Sequence, residues 1–368
     1  MTQTHQKHSM LIKKHHDKFA PNEIAILGST CSVITDLVTN VSHRLSTYKL
    51  AYLDASHAQN VEKNILSKYT FHHEGGLNIN TLSPINPYRQ QIQFSEFDYV
   101  FINGNHYQGR KQVLILDDEK ETSVLKRIDQ LQQVQFIITL KPETKLFSFL
   151  LDHYPYLNHI TTYHIDDIDK ITRHFKNLIE ETIAPVRGLV LIGGKSIRMG
   201  VDKSTINYHG TPQKDYIKNL LNRMVVNVMF SVTQSQNTSD EIVDTFIDLG
   251  PFGGICSAFR SDPNSAWLVV ATDLPFVDDK LIALLLQERD PSKVATAIKG
   301  KGRDFPEPLI TIYEPRAYGK LLQYLAQGHS CPRKMLINSD IKVVEVDPYL
   351  IENVNTPEEL EDAKNRLN

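Results

Sequence analysis

From about residue 21 to the end of the chain, short apolar runs rich in β-branched and aromatic residues alternate with amphipathic stretches. No other feature restricts the fold as much. EIAILG is followed by SVITDLVTNVSHRLS and then YKLAYLDAS, in strand, helix, strand order. FDYVFING, QVLILD, QFIITL, GLVLIGG, VVNVMFSV, AWLVVATD and IKVVEVD continue the alternation. Apolar runs of this kind belong to strands buried on both faces, so the pattern predicts an α/β fold built on parallel sheets covered by helices.

A length of 368 residues exceeds one ordinary domain of roughly 100–200 residues, which predicts two cores. The helical stretch DDIDKITRHFKNLIEET runs into IAPVRG, where Pro185 turns its predecessor away from helix. Of the 15 histidines, only His209 and His329 follow that point. The expected organisation is a polar tail over residues 1–20, one domain over 21–184 and a second over 185–368. No repeat of 20 to 50 residues relates the halves.

Lys and Arg number 40 against 43 Asp and Glu, a net charge of −3, which supplies no global field for gripping nucleic acid. Cys31, Cys256 and Cys331 form no Cys-x-x-Cys pair, which argues against a zinc ribbon and a disulfide framework and fits a reducing compartment. The N-terminus is polar and basic, and no apolar run approaches the ~18 residues of a membrane span. The expectation is a cytosolic protein without membrane or nucleic-acid partners.

The chemistry concentrates in the second half. GLVLIGGKSIRMGVDK, residues 188–203, is an apolar strand ending in paired glycines and followed by Lys195, Arg198 and Lys203. Gly193 and Gly194 allow the backbone to approach a ligand with its N–H groups aimed at anionic oxygens, and Arg198 and Lys203 add charge suited to a triphosphate. The spacing differs from the Gly-x-x-x-x-Gly-Lys-Ser/Thr loop, so the cradle is of another kind. AWLVVATDLP places Asp273 at the carboxyl end of a presumed central strand, where open α/β sheets hold ligands. A carboxylate desolvated there needs a partner, either a cap or ion pair or a divalent cation such as Mg²⁺.

These residues resemble the molybdenum cofactor guanylyltransferase family, whose signature is matched by Leu191, Gly193, Gly194, Ser196, Arg198, Met199, Gly200, Asp202 and Lys203. The resemblance extends in order through the second half and implies a Rossmann-like nucleotidyltransferase domain. It implies Lys203, Arg198 and Asp273 as catalytic residues, with Asp273 also the Mg²⁺ ligand. Leu191, Ile192, Gly193, Gly194, Lys203, Ser231, Asp248 and Asp273 would then bind GTP.

DTFIDLGPFGGICSAF sets Asp248 at a strand end before Gly250, Pro251, Gly253 and Gly254, and resembles the family's segment against the nucleoside. The spacing there is shortened. GRDFPEPLITIY resembles the segment facing the pterin, with Arg303, Pro306, Glu307 and Pro308, and HSCPRKML offers Arg333 and Lys334 to the acceptor's phosphate. In ENVNTPEELEDAKNRL, Thr356, Pro357 and Glu359 form a capping box, while Asn353 and Asn355 match asparagines on the family's substrate side.

In the first half, GSTCSVIT follows the strand EIAIL, and a phosphate loop would need Gly at Val33 and Lys at Ile34. FDYVFINGNHYQGRKQVLILDD resembles a strand of the GTP-binding molybdopterin-guanine dinucleotide accessory family, with Asn103 in place of a Glu. The half is expected to be a degenerate P-loop-like domain without GTPase activity. His72 and His73, adjacent on a strand, point to opposite faces and do not readily share an ion.

The implied activity is transfer of GMP from Mg-GTP to the terminal phosphate of metallated molybdopterin, with release of pyrophosphate. The implied partners are GTP, the molybdopterin cofactor, molybdenum insertion proteins and molybdoenzyme chaperones. The alternatives are a cytidylyl or sugar-phosphate nucleotidyltransferase, since Ser231 stands near where the guanylyl branch has an Asn, and a non-catalytic nucleotide-binding scaffold.

Overall fold

The computed structural model describes residues 19–56, 66–81, 86–192 and 203–367. The chain divides into two compact α/β units, residues 1–182 and 183–368.

The first unit contains β1 (Glu23–Leu27), α1 (Cys31–Arg44), β2 (Leu50–Leu53), β3 (Lys68–His72), β4 (Gly76–Asn80), α2 (Pro87–Phe94) and β5 (Tyr99–Asn103). After these come β6 (Lys111–Leu116), α3 (Glu121–Leu125), β7 (Val134–Thr139), α4 (Ser148–His153), β8 (Thr162–His164) and α5 (Ile168–Glu180). Six strands form one sheet in the order β2-β5-β1-β6-β7-β8, parallel throughout, and β3 and β4 make a separate antiparallel hairpin. Alternate residues of β1 feed opposite cores: Ile24 and Ile26 pack with α1 and α5, while Ala25 and Leu27 belong to clusters on the other side.

Between β1 and α1 only residues 28–30 intervene, and Thr30 caps the helix by accepting from the Val33 N–H. Gly28 has φ +106°, and a Cβ there would lie 2.2 Å from the Ile115 carbonyl oxygen, so the turn requires glycine. Ile34, where a phosphate loop would carry lysine, is fully buried on the inner face of α1. The carboxyl edge of this sheet is laced by polar bonds instead: Ser29 Oγ donates to Asp117 at 2.8 Å, Asn105 Nδ2 to the Ser29 carbonyl at 2.8 Å, and Asn103 Nδ2 to Asp54 at 2.9 Å.

The second unit contains β9 (Val186–Leu191), α6 (Gln213–Asn222), β10 (Val226–Val232), β11 (Glu241–Val243), α7 (Pro251–Ser261), β12 (Ala266–Ala271) and α8 (Asp279–Gln287). It is completed by β13 (Ala295–Gly300), β14 (Glu307–Tyr313), α9 (Arg316–Ala326), α10 (Pro332–Ile337), β15 (Lys342–Val346) and α11 (Pro357–Leu367). Its seven-stranded sheet has the order β11-β10-β9-β12-β14-β13-β15. It is mixed, because β14 runs antiparallel to both β12 and β13. Val190, Leu268 and Val270 pack on the face covered by α6 and α8; Leu189, Trp267 and Val269 pack on the face covered by α7, α9 and α10. Burial on both faces accounts for the unbroken apolar runs in β9 and β12.

Among the described residues no helix is long and apolar enough to cross a membrane.

Candidate active site

In the second sheet the strand order reverses beside β9: β10 and β11 lie on one side and β12 on the other. A crevice opens outside the carboxyl ends of the strands at such a point. Ala271 pairs with Leu191 in parallel register. Just beyond, the Thr272 N–H and hydroxyl both reach the Leu191 carbonyl, each at 3.4 Å. Asp273 is thus two residues past the paired strand ends. Gly193, Gly194 and Arg198 fall within residues 193–202 and lie outside the described residues, which resume at Lys203.

Asp273 is held through its backbone: its carbonyl accepts from the Val354 N–H at 3.0 Å. Its side-chain Oδ1 is buried and has no hydrogen-bond partner among the described residues. Burial pushes the carboxyl above its ordinary range, and the positive charge of Lys203 opposes that shift. Lys203 opens a single 3-10 turn, Lys203–Thr205, and its Nζ donates to Asn355 Oδ1 at 2.7 Å. Asn355 is fixed in turn by the start of α11. The Glu359 carboxylate accepts from the N–H groups of Asn355 (2.6 Å) and Thr356 (3.1 Å), and the Glu359 N–H returns to Thr356 Oγ1 at 3.2 Å. The capping box read from the sequence is therefore formed, and it extends one residue outward to orient the partner of the lysine. Asn353, half-buried, lies on the same segment beside the Val354 anchor.

Next to this cluster is a cavity of about 960 Å³. Leu191 and Ile192 from the end of β9, Ser204 and Thr205 line one part, and Ser231, Asp244, Asp248 and Pro251 line another. Ser231 Oγ donates to Asp244 Oδ1 at 2.8 Å, and burial raises the Asp244 carboxyl while that hydrogen bond opposes the rise. The wall is tight: a Cβ on Gly254 would lie 2.5 Å from Ser231 Oγ, so a larger residue in α7 would have to turn that hydroxyl out of its place. The N-terminus of α7 has no side-chain cap and meets the cavity through Gly250 and Pro251, adding the positive end of a helix dipole.

One expectation is corrected here. Asp248 does not end a strand; β11 stops at Val243, and Asp248 sits in the turn before α7 with φ +60°. The carboxylate directly after the strand is Asp244, which the sequence reading missed. Its signal was its distance from the glycines, longer than that of Asp248. On the acceptor side, Arg333 is bonded within the fold. Its Nη2 donates to Glu307 Oε2 at 2.8 Å and its Nε to the Pro306 carbonyl at 3.3 Å. Asn355 likewise reaches Lys203 in this structure.

His72 ends β3 and His73 follows it in the turn, both exposed. Among the described residues no group of three or more His, Cys, Asp or Glu side chains forms a metal cage. Among the described residues Asp273 thus suits a cation that brings most of its ligands with it, and a Mg²⁺ ion carried by phosphates is of that type.

Residues 188–342 match the family profile described as MobA-like NTP transferase domain. A molybdenum cofactor biosynthesis bifunctional protein of Synechocystis is 36% identical over 182 residues, covering 48% of this chain and 52% of the relative. The chain thus spans about half the length of that relative. A probable molybdenum cofactor guanylyltransferase of Natronomonas pharaonis is 27% identical over 202 residues, covering 49% of this chain and 97% of its own length. Among solved structures, the molybdopterin-guanine dinucleotide biosynthesis protein A of Archaeoglobus fulgidus shares 23% identity over 49% of this chain and 97% of its own, with a TM-score of 0.42.

Proposed function

We propose, from the premise that the C-terminal unit of this chain is a MobA-like NTP transferase domain, that the protein transfers GMP from GTP to the terminal phosphate of metallated molybdopterin. An oxygen of the acceptor's phosphate attacks the α-phosphorus of GTP. The bond from that phosphorus to the oxygen bridging to the β-phosphate breaks, and pyrophosphate leaves. The nucleophile is already anionic, so the protein's work is to align it and to neutralise charge.

The observation that carries this reading is the buried Oδ1 of Asp273, unpartnered among the described residues and lying in the field of Lys203 beside a cavity large enough for a nucleotide. Asp273 would hold Mg²⁺, whose charge stabilises the phosphates when it is bound. Lys203, steadied by Asn355, contributes a second positive charge at the triphosphate. Arg198, Gly193 and Gly194 belong to the same cradle in this reading, from the sequence alone.

In the cavity, the Asp244 carboxylate is oriented by Ser231 and accepts hydrogen bonds from the base. Guanine presents adjacent N–H groups on one edge and suits a carboxylate; cytosine presents one amino group beside an unprotonated ring nitrogen. Asp248, Leu191 and Ile192 complete the nucleoside wall. Arg333, Glu307 and Asn353 serve the acceptor. Molybdenum insertion proteins and molybdoenzyme chaperones are the expected sources and recipients of the pterin, and the protein is expected in the cytoplasm.

The test is incubation of the full chain with metallated molybdopterin, Mg²⁺ and either GTP or CTP, with detection of pyrophosphate and of the dinucleotide. Dinucleotide formed from GTP in preference to CTP is the expected result. Preference for CTP would establish the cytidylyl alternative, and nucleotide binding without transfer would establish the scaffold.

A further inference from the structure

Close enough to Asp273 to feel its charge stands a second buried carboxylate, Glu307. β12 and β14 pair antiparallel with Val270 opposite Ile310 and Trp267 opposite Tyr313. Past Val270 and Ile310, their last pair, β12 ends at Ala271 two residues before Asp273 and β14 begins at Glu307, so the two carboxylates lie at the same end of the sheet. The negative charge of Asp273 adds to the effect of burial in raising the Glu307 carboxyl, which agrees with that placement.

Glu307 is 5% exposed. A carboxylate so enclosed has little surface to offer a substrate. Its Oε2 is committed to Arg333, 26 residues later in the chain, at 2.8 Å. The Arg333 side chain, by contrast, is 45% exposed. Two of its N–H groups are taken, Nε by the Pro306 carbonyl and Nη2 by Glu307. A guanidinium carries five N–H donors in a fixed plane, so three remain in a fork whose direction the first two bonds set. Lysine at this position would offer a point charge with no such direction.

We propose that Glu307 is a positioning residue that does not touch substrate: it fixes the plane of the Arg333 guanidinium so that the remaining donors engage the phosphate of the acceptor beside Asp273. The inference rests on the transferase reading above and adds to it a division of labour between two residues that the sequence had grouped together as substrate ligands. Removing the Glu307 charge leaves Arg333 held mainly by the 3.3 Å bond from its Nε to the Pro306 carbonyl, so its plane is no longer fixed and the loss falls on acceptor affinity and not on GTP or on the chemical step.

The experiment is a double-mutant cycle in the full chain with Glu307→Gln, Arg333→Gln and both, reading KM for phosphorylated pterin, KM for GTP and kcat. Each single change is expected to raise the acceptor KM by roughly an order of magnitude, the gain expected of a directed charge-assisted hydrogen bond. GTP KM and kcat should stay within about twofold. The double variant should be no worse than Arg333→Gln alone. Arg333→Lys should not restore the acceptor KM. A Glu307→Gln effect that persists undiminished in the Arg333→Gln background would overturn the proposal by showing an independent contact, as would a loss confined to kcat or an unchanged acceptor KM. Failure of the unaltered protein to transfer GMP would instead remove the reading beneath it. That outcome is distinct because it appears before any substitution is made.

Discussion

Replacing Asp273 by Asn should make the C-terminal unit more stable while removing most of its turnover. Burial holds the Asp273 carboxyl above its ordinary value of 3.8, and Oδ1 has no partner among the described residues. Holding the charged carboxylate there costs about 1–3 kcal/mol that a neutral amide of the same shape does not incur, and the Lys203 charge offsets part of this, leaving about 1–2 kcal/mol to be regained. In a unit of this size each kcal/mol moves Tm by about 2–4 °C, so Asp273→Asn should melt about 2–8 °C higher at pH 7.

The sign of the pH dependence follows from the raised value. The folded state holds this proton more tightly than the unfolded state, so the stabilising contribution is complete below pH 3.8 and is lost as pH climbs through the folded value. The difference between variant and parent should therefore be near zero at about pH 3.8 and grow towards neutrality. Turnover should fall by about 10²–10³ through loss of transition-state charge stabilisation. Melting followed by circular dichroism between pH 4 and 8, paired with the transfer assay, measures both effects. A variant that melts at or below the parent at pH 7, or a difference that does not change with pH, would refute the argument that this carboxylate is held against its solvation.

Lys203→Ala should lower kcat by about 10²–10³ and, by removing the charge that offsets the burial of Asp273, lower the melting temperature by about 2–4 °C, and Asn355→Ala, which removes only the 2.7 Å partner of the lysine, should cost about tenfold in the same steady-state assay. Asp244→Asn turns one carboxylate oxygen into a donor and should narrow the preference for GTP over CTP, read as the ratio of kcat/KM values; an unchanged ratio would place the base elsewhere. Gly254→Ala drives a Cβ to 2.5 Å from Ser231 Oγ, so it should destabilise by about 1–3 kcal/mol in a denaturant titration and weaken GTP binding through the displaced Ser231.

The elements buried on both faces were legible from their apolar runs: Gly188–Leu191 of β9 and all of β12 stand where those runs predicted, and Asp273 follows the second as expected. The α11 capping box was legible because its logic is local to four residues. What escaped the sequence was either short or non-local. β11 is three residues, EIV, too brief to show a period, so the acidic residue after it was assigned four positions late. β13, with the sequence ATAIKG, carries small and polar residues that do not resemble a core strand, yet it is buried because it lies between β14 and β15. The Glu307 and Arg333 pair depends on two elements meeting across 26 residues, which no spacing rule encodes. In the N-terminal unit the missing lysine was plain from the sequence, but the burial of Ile34 was not, since it follows from where α1 starts.

The central claim is that Asp273 and Lys203 act on one and the same nucleotide. Its most direct test is the affinity for Mg-GTP, by calorimetry, of the parent chain, Lys203→Ala, Asp273→Asn and the double variant. Two groups gripping one triphosphate predict weakened binding in each single variant and a double variant that departs from additivity by about 0.5–3 kcal/mol. Strictly additive losses, or full GTP affinity without Asp273, would contradict the claim.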